Sequence, residues 1–279
     1  MPGNHEVRLG SLLALTLFNA FPRACNLPCS FTLIPIPHPT PTAKVEAFDS
    51  EPYTTEPFVA YQARFEMPYA DCDAPSSLYY SFKSGPAHII MLNSYMDFDK
   101  DSAQYTWFAQ ELKRVDRSVT PWLMVNMHAP WYNSDVHHHD EPEEMGMRAI
   151  YEPLFHDAQV DLVFAGHVHA YERMFPVYNN KTMAGATTFI NIGDGGNREG
   201  PATGYFKQPE WSAYREPAFG HGRLHIHNAT HAHWTWHKNL NTEPTVSDEV
   251  WLVRNTALNN GISRGVSAVG GITFDGYRK

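Results

Sequence analysis

Cysteine is scarce, with three in 279 residues, at positions 25, 29 and 72. Cys25 and Cys29 form no zinc spacing, because no second pair completes a four-thiolate site, and three thiols cannot found a disulfide-stapled scaffold. An odd count leaves at least one thiol outside any intramolecular disulfide. Positive charge is also short. Lys and Arg number 21 against 30 Asp and Glu, a net charge of −9, which excludes a chain built to coat nucleic acid or an anionic membrane. No apolar stretch reaches the roughly 20 residues of a stable membrane span. The stretch at 9–21 has only the length of a signal peptide's hydrophobic region. With Glu6 in its leader and Arg8 as the one clear positive charge there, it makes no convincing signal peptide.

What the chain has in excess is histidine, sixteen in all, thirteen of them from His128 to His237. Imidazole is the commonest neutral metal ligand and titrates near neutral pH, so the clustering points to metal or acid–base chemistry. With 43% hydrophobic residues, the chain can bury a substantial core.

The pattern along the chain predicts an α/β fold. The segment at 87–92 and the apolar runs at 121–125 and 160–164 read as buried strands, and 188–192 reads as another strand running into a tight turn at Gly193. Spacing at Tyr105, Phe108, Leu112 and Val115 predicts a helix over 102–115, with Ser102 or Asp101 as its cap, and a second helix fits 144–156. Strand, helix and strand of these lengths make a parallel unit. Strict alternation over 222–236 predicts a hairpin with Leu224, Ile226, Ala232, Trp234 and Trp236 on one face and histidines on the other.

Two of these strands end in histidine, which brings His128 and the pair His167 and His169 to one rim beyond the carboxyl ends of a parallel sheet. Gly166-His167-Val168-His169 offers two imidazoles after a glycine that permits close backbone approach. Val125-Asn126-Met127-His128 offers a third. Gly3-Asn4-His5-Glu6 adds an amide oxygen and a further imidazole. Mixed nitrogen and oxygen donors suit zinc, manganese or iron.

These blocks in this order resemble the purple acid phosphatases, within the calcineurin-like metallophosphoesterases. The flanking text is similar too, in Ala129-Pro130-Trp131-Tyr132-Asn133, Ala170-Tyr171-Glu172-Arg173, Phe58-Val59-Ala60-Tyr61 and Phe219-Gly220-His221-Gly222-Arg223. The resemblance spans the first six residues and about 46–254. It implies a metallophosphoesterase β-sandwich flanked by helices (αββα), a partial core at 46–186, the family's C-terminal region at 187–254 and a tail at 255–279. It also implies a centre of Fe(III) plus a divalent Fe, Zn or Mn ion, with Asn4, His128 and His167 on the divalent ion and His169 on the ferric one. His5, His137 and His138 would contact the phosphate or protonate the leaving alkoxide, while His139 faces solvent. The implied substrate is a small phosphomonoester, the implied compartment secreted or vacuolar, and a homodimer is left open. Asn180-Lys181-Thr182 and Asn228-Ala229-Thr230 are glycosylation acceptor triplets.

The family's first two blocks, which carry the ferric aspartate, the bridging aspartate and the tyrosine, belong upstream of the Gly3–Glu6 block. The chain therefore reads as a C-terminal portion of such an enzyme. Segment 7–45, rich in proline and without a period, reads as an insertion or as intron-derived sequence. Two alternatives stay open: an inactive or single-metal-binding product, and a phosphodiesterase or pyrophosphatase of the same superfamily. Asp194 reads as a turn former. His38, His88, His156 and the C-terminal histidines from His221 to His237 receive no catalytic role.

Overall fold

The computed structural model describes residues 57–239 and 245–254. Asn4, His5, Cys25, Cys29, His38, segment 7–45 and the tail at 255–279 lie outside the described residues. The elements in chain order are α1 (Val59–Arg64), β1 (Tyr80–Ser84), β2 (Ala87–Met91), α2 (Ala103–Arg114), β3 (Trp122–Met127), α3 (Pro142–Asp157), β4 (Leu162–Ala165), β5 (Tyr171–Met174), β6 (Val177–Tyr178), β7 (Lys181–Thr182), β8 (Thr188–Ile192), β9 (Ser212–Glu216), β10 (Gly220–Ile226), β11 (His231–Lys238) and β12 (Thr245–Val253).

Seven strands form one mixed sheet in the order β1-β2-β3-β4-β8-β5-β9, and β10-β11-β12 form a second, antiparallel one. The central strands β2, β3, β4 and β8 run parallel, as expected for the near-continuous apolar runs of a sheet buried on both faces. Alternate residues take opposite faces. Ile90, Leu123, Val125, Val163 and Phe189 pack with Phe108, Tyr151 and Phe155 of the helices. Ile89, Met124, Leu162, Phe164 and Ile190 pack with Leu224, Ile226, Trp234 and Trp236 of the second sheet. Among the described residues the layers are therefore helix, sheet and sheet. Fully burying each such Phe, Leu or Ile contributes about 1.5–3 kcal/mol relative to exposure, so the central strands anchor the positions of the loops beyond their ends.

Local chemistry sets the helix boundaries. Ser102 Oγ accepts from Tyr105 N at 3.2 Å and caps α2. Pro142 opens α3, where its missing N–H costs nothing. β8 joins β4 to β5, and β9 extends the same sheet, so the large sheet runs across position 186. The hairpin of β10 and β11 has the alternation read from the sequence, and its inward residues Leu224, Ile226, Ala232, Trp234 and Trp236 are all buried. Asp194 does more than form a turn. It is 1% exposed and accepts from Trp236 Nε1, while its carbonyl accepts from Gly220 N at 2.9 Å, tying the end of β8 to the second sheet. Cys72 is a free thiol. His88 is a core residue bonded to Glu111 Oε1 at 2.9 Å. No helix among the described residues is long and apolar enough to cross a membrane.

Candidate metal centre

The rim is built from two adjacent parallel strands. His128 follows the last residue of β3 and His167 lies two residues beyond β4, so the pairing of β3 with β4 brings the two turns together. Gly166 N donates to His128 O at 3.0 Å, stitching one turn to the other. His167 then takes a left-handed φ of 58°, a conformation that disfavours any residue with a Cβ and persists where its surroundings enforce it. Val168 N donates to Gly166 O at 2.7 Å, closing the turn tightly around His167.

The glycine that close approach demands is not Gly166. A Cβ there would meet His128 Nδ1 at 3.8 Å, an ordinary contact, whereas a Cβ on Gly193 would fall 2.1 Å from Val168 O. The end of β8 passes directly beneath the 166–168 turn and leaves no room for a side chain.

His128 Nε2 and His167 Nδ1 lie 3.1 Å apart. Two nitrogens each bound at about 2.1 Å to one ion stand about 3.0–3.4 Å apart, for angles from a right angle to tetrahedral, so this pair fits a shared metal. Burial pushes His128 down to about 4, with His167 and His169 adding to the effect. Burial, then the neighbouring His138, also lowers His167 against the opposing pull of Glu141. Both rings therefore favour the neutral form that ligation requires.

The other nitrogen of His167 meets a residue that sequence reading missed. His167 Nε2 lies 3.0 Å from Glu141 Oε2, and His138 Nδ1 lies 2.8 Å from Glu141 Oε1. Burial pushes the Glu141 carboxyl up, but its contacts with the two histidines outweigh burial and hold it below its usual value. An ionised carboxylate only accepts, so both imidazoles donate to it. That fixes His167 with its Nδ1 lone pair toward His128, the carboxylate–histidine arrangement that accompanies metal ligation. Glu141 occupies the N-cap position of α3, yet its side chain makes no capping bond. In sequence the Asp140-Glu141-Pro142-Glu143-Glu144 run looks like an ordinary acidic helix start, and the one local signal was a carboxylate three residues after His138.

The loop carrying His137, His138 and His139 is held from several sides. Asn133 Nδ2 donates to His138 O at 2.8 Å, Asp135 Oδ1 accepts from His137 N at 2.8 Å, and Ser134 Oγ donates to the buried Glu172 at 2.6 Å. The loop sets the His138 ring 4.3 Å from that of His167, centroid to centroid. His137 is exposed and lines a groove with His138, His169 and Glu199. His139 is exposed beside Asp140. His169 turns toward Glu199, with Nδ1 and Oε2 3.6 Å apart. Next to Glu141, burial and then the Glu141 charge push Glu144 up to about 8, so one carboxyl of this helix start stays ionised and the other stays protonated at neutral pH. Among the described residues, His138, Glu141 and His167 are the one group of three potential ligands whose donor atoms lie within 4.8 Å of one another.

Residues 1–171 match the calcineurin-like phosphoesterase family, and residues 186–249 match the iron/zinc purple acid phosphatase-like protein C family. The chain is 50% identical over 214 residues to purple acid phosphatase 18 of Arabidopsis thaliana, covering 76% of this chain and 48% of that protein. It is 46% identical over 209 residues to a purple acid phosphatase of Glycine max, covering 71% of this chain and 45% of the relative. It thus spans about half the length of the curated relatives it matches. The fold superposes on a purple acid phosphatase from yellow lupin (Lupinus luteus) seeds with a TM-score of 0.64 at 23% identity, over 76% of this chain and 39% of the other. With one family model matched over more than half of its residues and a relative at 50% identity, the chain belongs to the purple acid phosphatases of the calcineurin-like phosphoesterase family.

Proposed function

We propose that the chain contributes the divalent-ion side of a binuclear Fe(III)–M(II) centre that hydrolyses phosphomonoesters at acid pH, with M being Fe, Zn or Mn. The observation that carries the proposal is the His128–His167 nitrogen pair at 3.1 Å beside a histidine-lined groove. His128 and His167, with Asn4, would hold the divalent ion, and His169 would belong to the ferric one. When bound, the two ions supply charge to the phosphoryl oxygens and a water activated near neutral pH.

The remaining steps belong to this chain's own side chains. Glu141 holds His138 through Nδ1, which leaves Nε2 as its free nitrogen. Protonated there, His138 donates to a phosphoryl oxygen or to the departing alkoxide. His137, at the mouth of the groove, offers a second donor to the phosphate, and His5 is assigned a third on the family resemblance alone. Asn180 and Asn228 are exposed at the ends of short hairpins, which suits glycosylation in a secreted or vacuolar protein.

One observation favours a second reading, a single-ion binding protein: His169 faces Glu199 rather than the His128–His167 pair. Metal content and hydrolysis of a small aryl phosphate separate the two readings. Two ions lost together from the chain in His128→Asn/His167→Asn, with hydrolysis lost in His167→Asn, support the enzyme. One ion lost in that variant, without hydrolysis in the wild type, supports the binder. No ion bound through His128 and His167 overturns both.

A further inference from the structure

The second sheet carries a histidine array that the phosphatase reading does not use. On β10 and β11, His225 pairs across the strands with His233, and His227 N donates to His231 O at 3.0 Å. Side chains two apart on a strand share a face, so all four imidazoles stand on one face of the hairpin. The opposite face carries the buried Leu224, Ile226, Ala232 and Trp234. Directly paired residues have Cβ atoms about 4.5–5.5 Å apart, within reach of two imidazoles that share one ion. The His225 and His227 rings already lie 4.0 Å apart, centroid to centroid.

We propose that this square of His225, His227, His231 and His233 is a second metal site, one that takes an imidazole-preferring divalent ion such as Zn or Cu. The donors fit that class: neutral nitrogen ligands with a carboxylate alongside suit zinc and copper. His233 Nε2 lies 3.4 Å from Glu249 Oε2 on β12, which supplies negative charge next to the ring. His231 is oriented by Thr230 Oγ1, 2.8 Å from its Nδ1, leaving Nε2 free. Trp251 packs 4.8 Å from the rings of both His227 and His233 and forms the wall of the site. The donor atoms are not yet gathered around a point. His225 and His227 form the starting pair, and His231 and His233 complete the set by rotation of exposed and partly exposed rings, a motion of picoseconds to nanoseconds.

The array is remote from the metal rim. Trp122, the first residue of β3, donates through Nε1 to Asn228 O in the hairpin turn at 2.9 Å, whereas His128 follows the last residue of that strand. Six residues at about 3.3 Å each put the two sites about 20 Å apart. A second ion there would be counted separately from the catalytic centre.

Equilibrium dialysis of the full chain against Zn tests this, comparing wild type with His225→Asn/His227→Asn and with His128→Asn/His167→Asn. The hairpin variant should lose one equivalent, or bind it at least about tenfold more weakly, while the rim variant keeps it. Cu(II) should quench the Trp251 fluorescence component, defined by difference against Trp251→Phe, and this quenching should vanish in His233→Asn, a milder change that serves if the double variant misfolds. Unchanged stoichiometry and affinity in the hairpin variant would overturn the proposal. So would loss of every equivalent in the rim variant, or quenching that survives His233→Asn.

Discussion

Replacing Glu141 with Gln isolates what one carboxylate does for two histidines. Glu141 presents two acceptor oxygens, at 3.0 Å to His167 and 2.8 Å to His138. A carboxamide presents one acceptor and one NH2, so one imidazole must lose its bond or reverse its tautomer. For His167 the reversal would place a proton on Nδ1, the nitrogen that faces His128, and block ligation. Outer carboxylate partners of metal-bound histidines are worth about 10–100-fold in metal affinity, equivalent to about 1.4–2.8 kcal/mol. Competition of the full chain against a chromophoric chelator should show divalent-ion binding weakened by that factor, with the far-UV circular dichroism unchanged. If Glu141→Gln binds within twofold of wild type while His167→Asn removes the rim equivalent, the clamp has no role at His167. If His167→Asn also leaves every equivalent intact, the reading of the rim as a metal site fails.

Asp194 provides a test of pH dependence. Burial, partly offset by the Trp236 bond, pushes its carboxyl up to about 6 in the fold from about 3.9 in unfolded chains. The stability this confers is full below about pH 4 and is lost as pH rises through 6, by about 3 kcal/mol for two pKa units. Asp194→Asn keeps an acceptor for Trp236, so urea unfolding should find it more stable than wild type at pH 7.5 and no more stable at pH 3.5; an identical difference at both pH values would refute the account. Gly193→Ala should displace the 166–168 turn, because its Cβ would fall 2.1 Å from Val168 O, costing about 1–3 kcal/mol and weakening metal binding together with stability. Glu111→Ala removes the partner of buried His88 and Ser81 and should cost about 3 kcal/mol in urea unfolding, with no change in metal affinity. Ser102→Ala should cost about 1 kcal/mol through loss of the α2 cap, measured the same way.

How much of this was legible in the sequence depended on how strongly each element's burial pattern repeats. The run over 188–192 gives β8 with the same bounds, because Phe189, Ile190 and Ile192 make it mostly apolar and it ends at Gly193. The alternation from 222 to 236 gives the hairpin and its inward tryptophans. β5 and β9 escaped notice because Tyr171–Met174 and Ser212–Glu216 hold charged groups satisfied inside the fold. Arg173 is bonded to Asp248 at 2.7 Å and Glu172 to Ser134 and Ser212 at 2.6 Å each, so neither segment shows an apolar face. His128 and His167 were readable as strand-end residues, and the sheet brings them together. Glu141 was not readable, because its chemistry depends on a contact with His167 from 26 residues away. Gly193 was equally hidden, since only the packed path of β8 beneath the 166–168 turn reveals why it lacks a side chain.

Two neighbouring residues, Gly193 and Asp194, have opposite outlooks: one supports the underside of the turn that holds His167, and the other grips Trp236 in the second sheet. The region that matches the C-terminal family model therefore acts on the metal turn like a keystone. Chimaeras of relatives with a junction inside residues 186–249 should retain the turn around His167 only when the glycine, the aspartate and the tryptophan at these positions come from the same parent. A splice made between Asp194 and β11 that mismatches the Asp194–Trp236 pair would loosen the metal site without touching a single ligand.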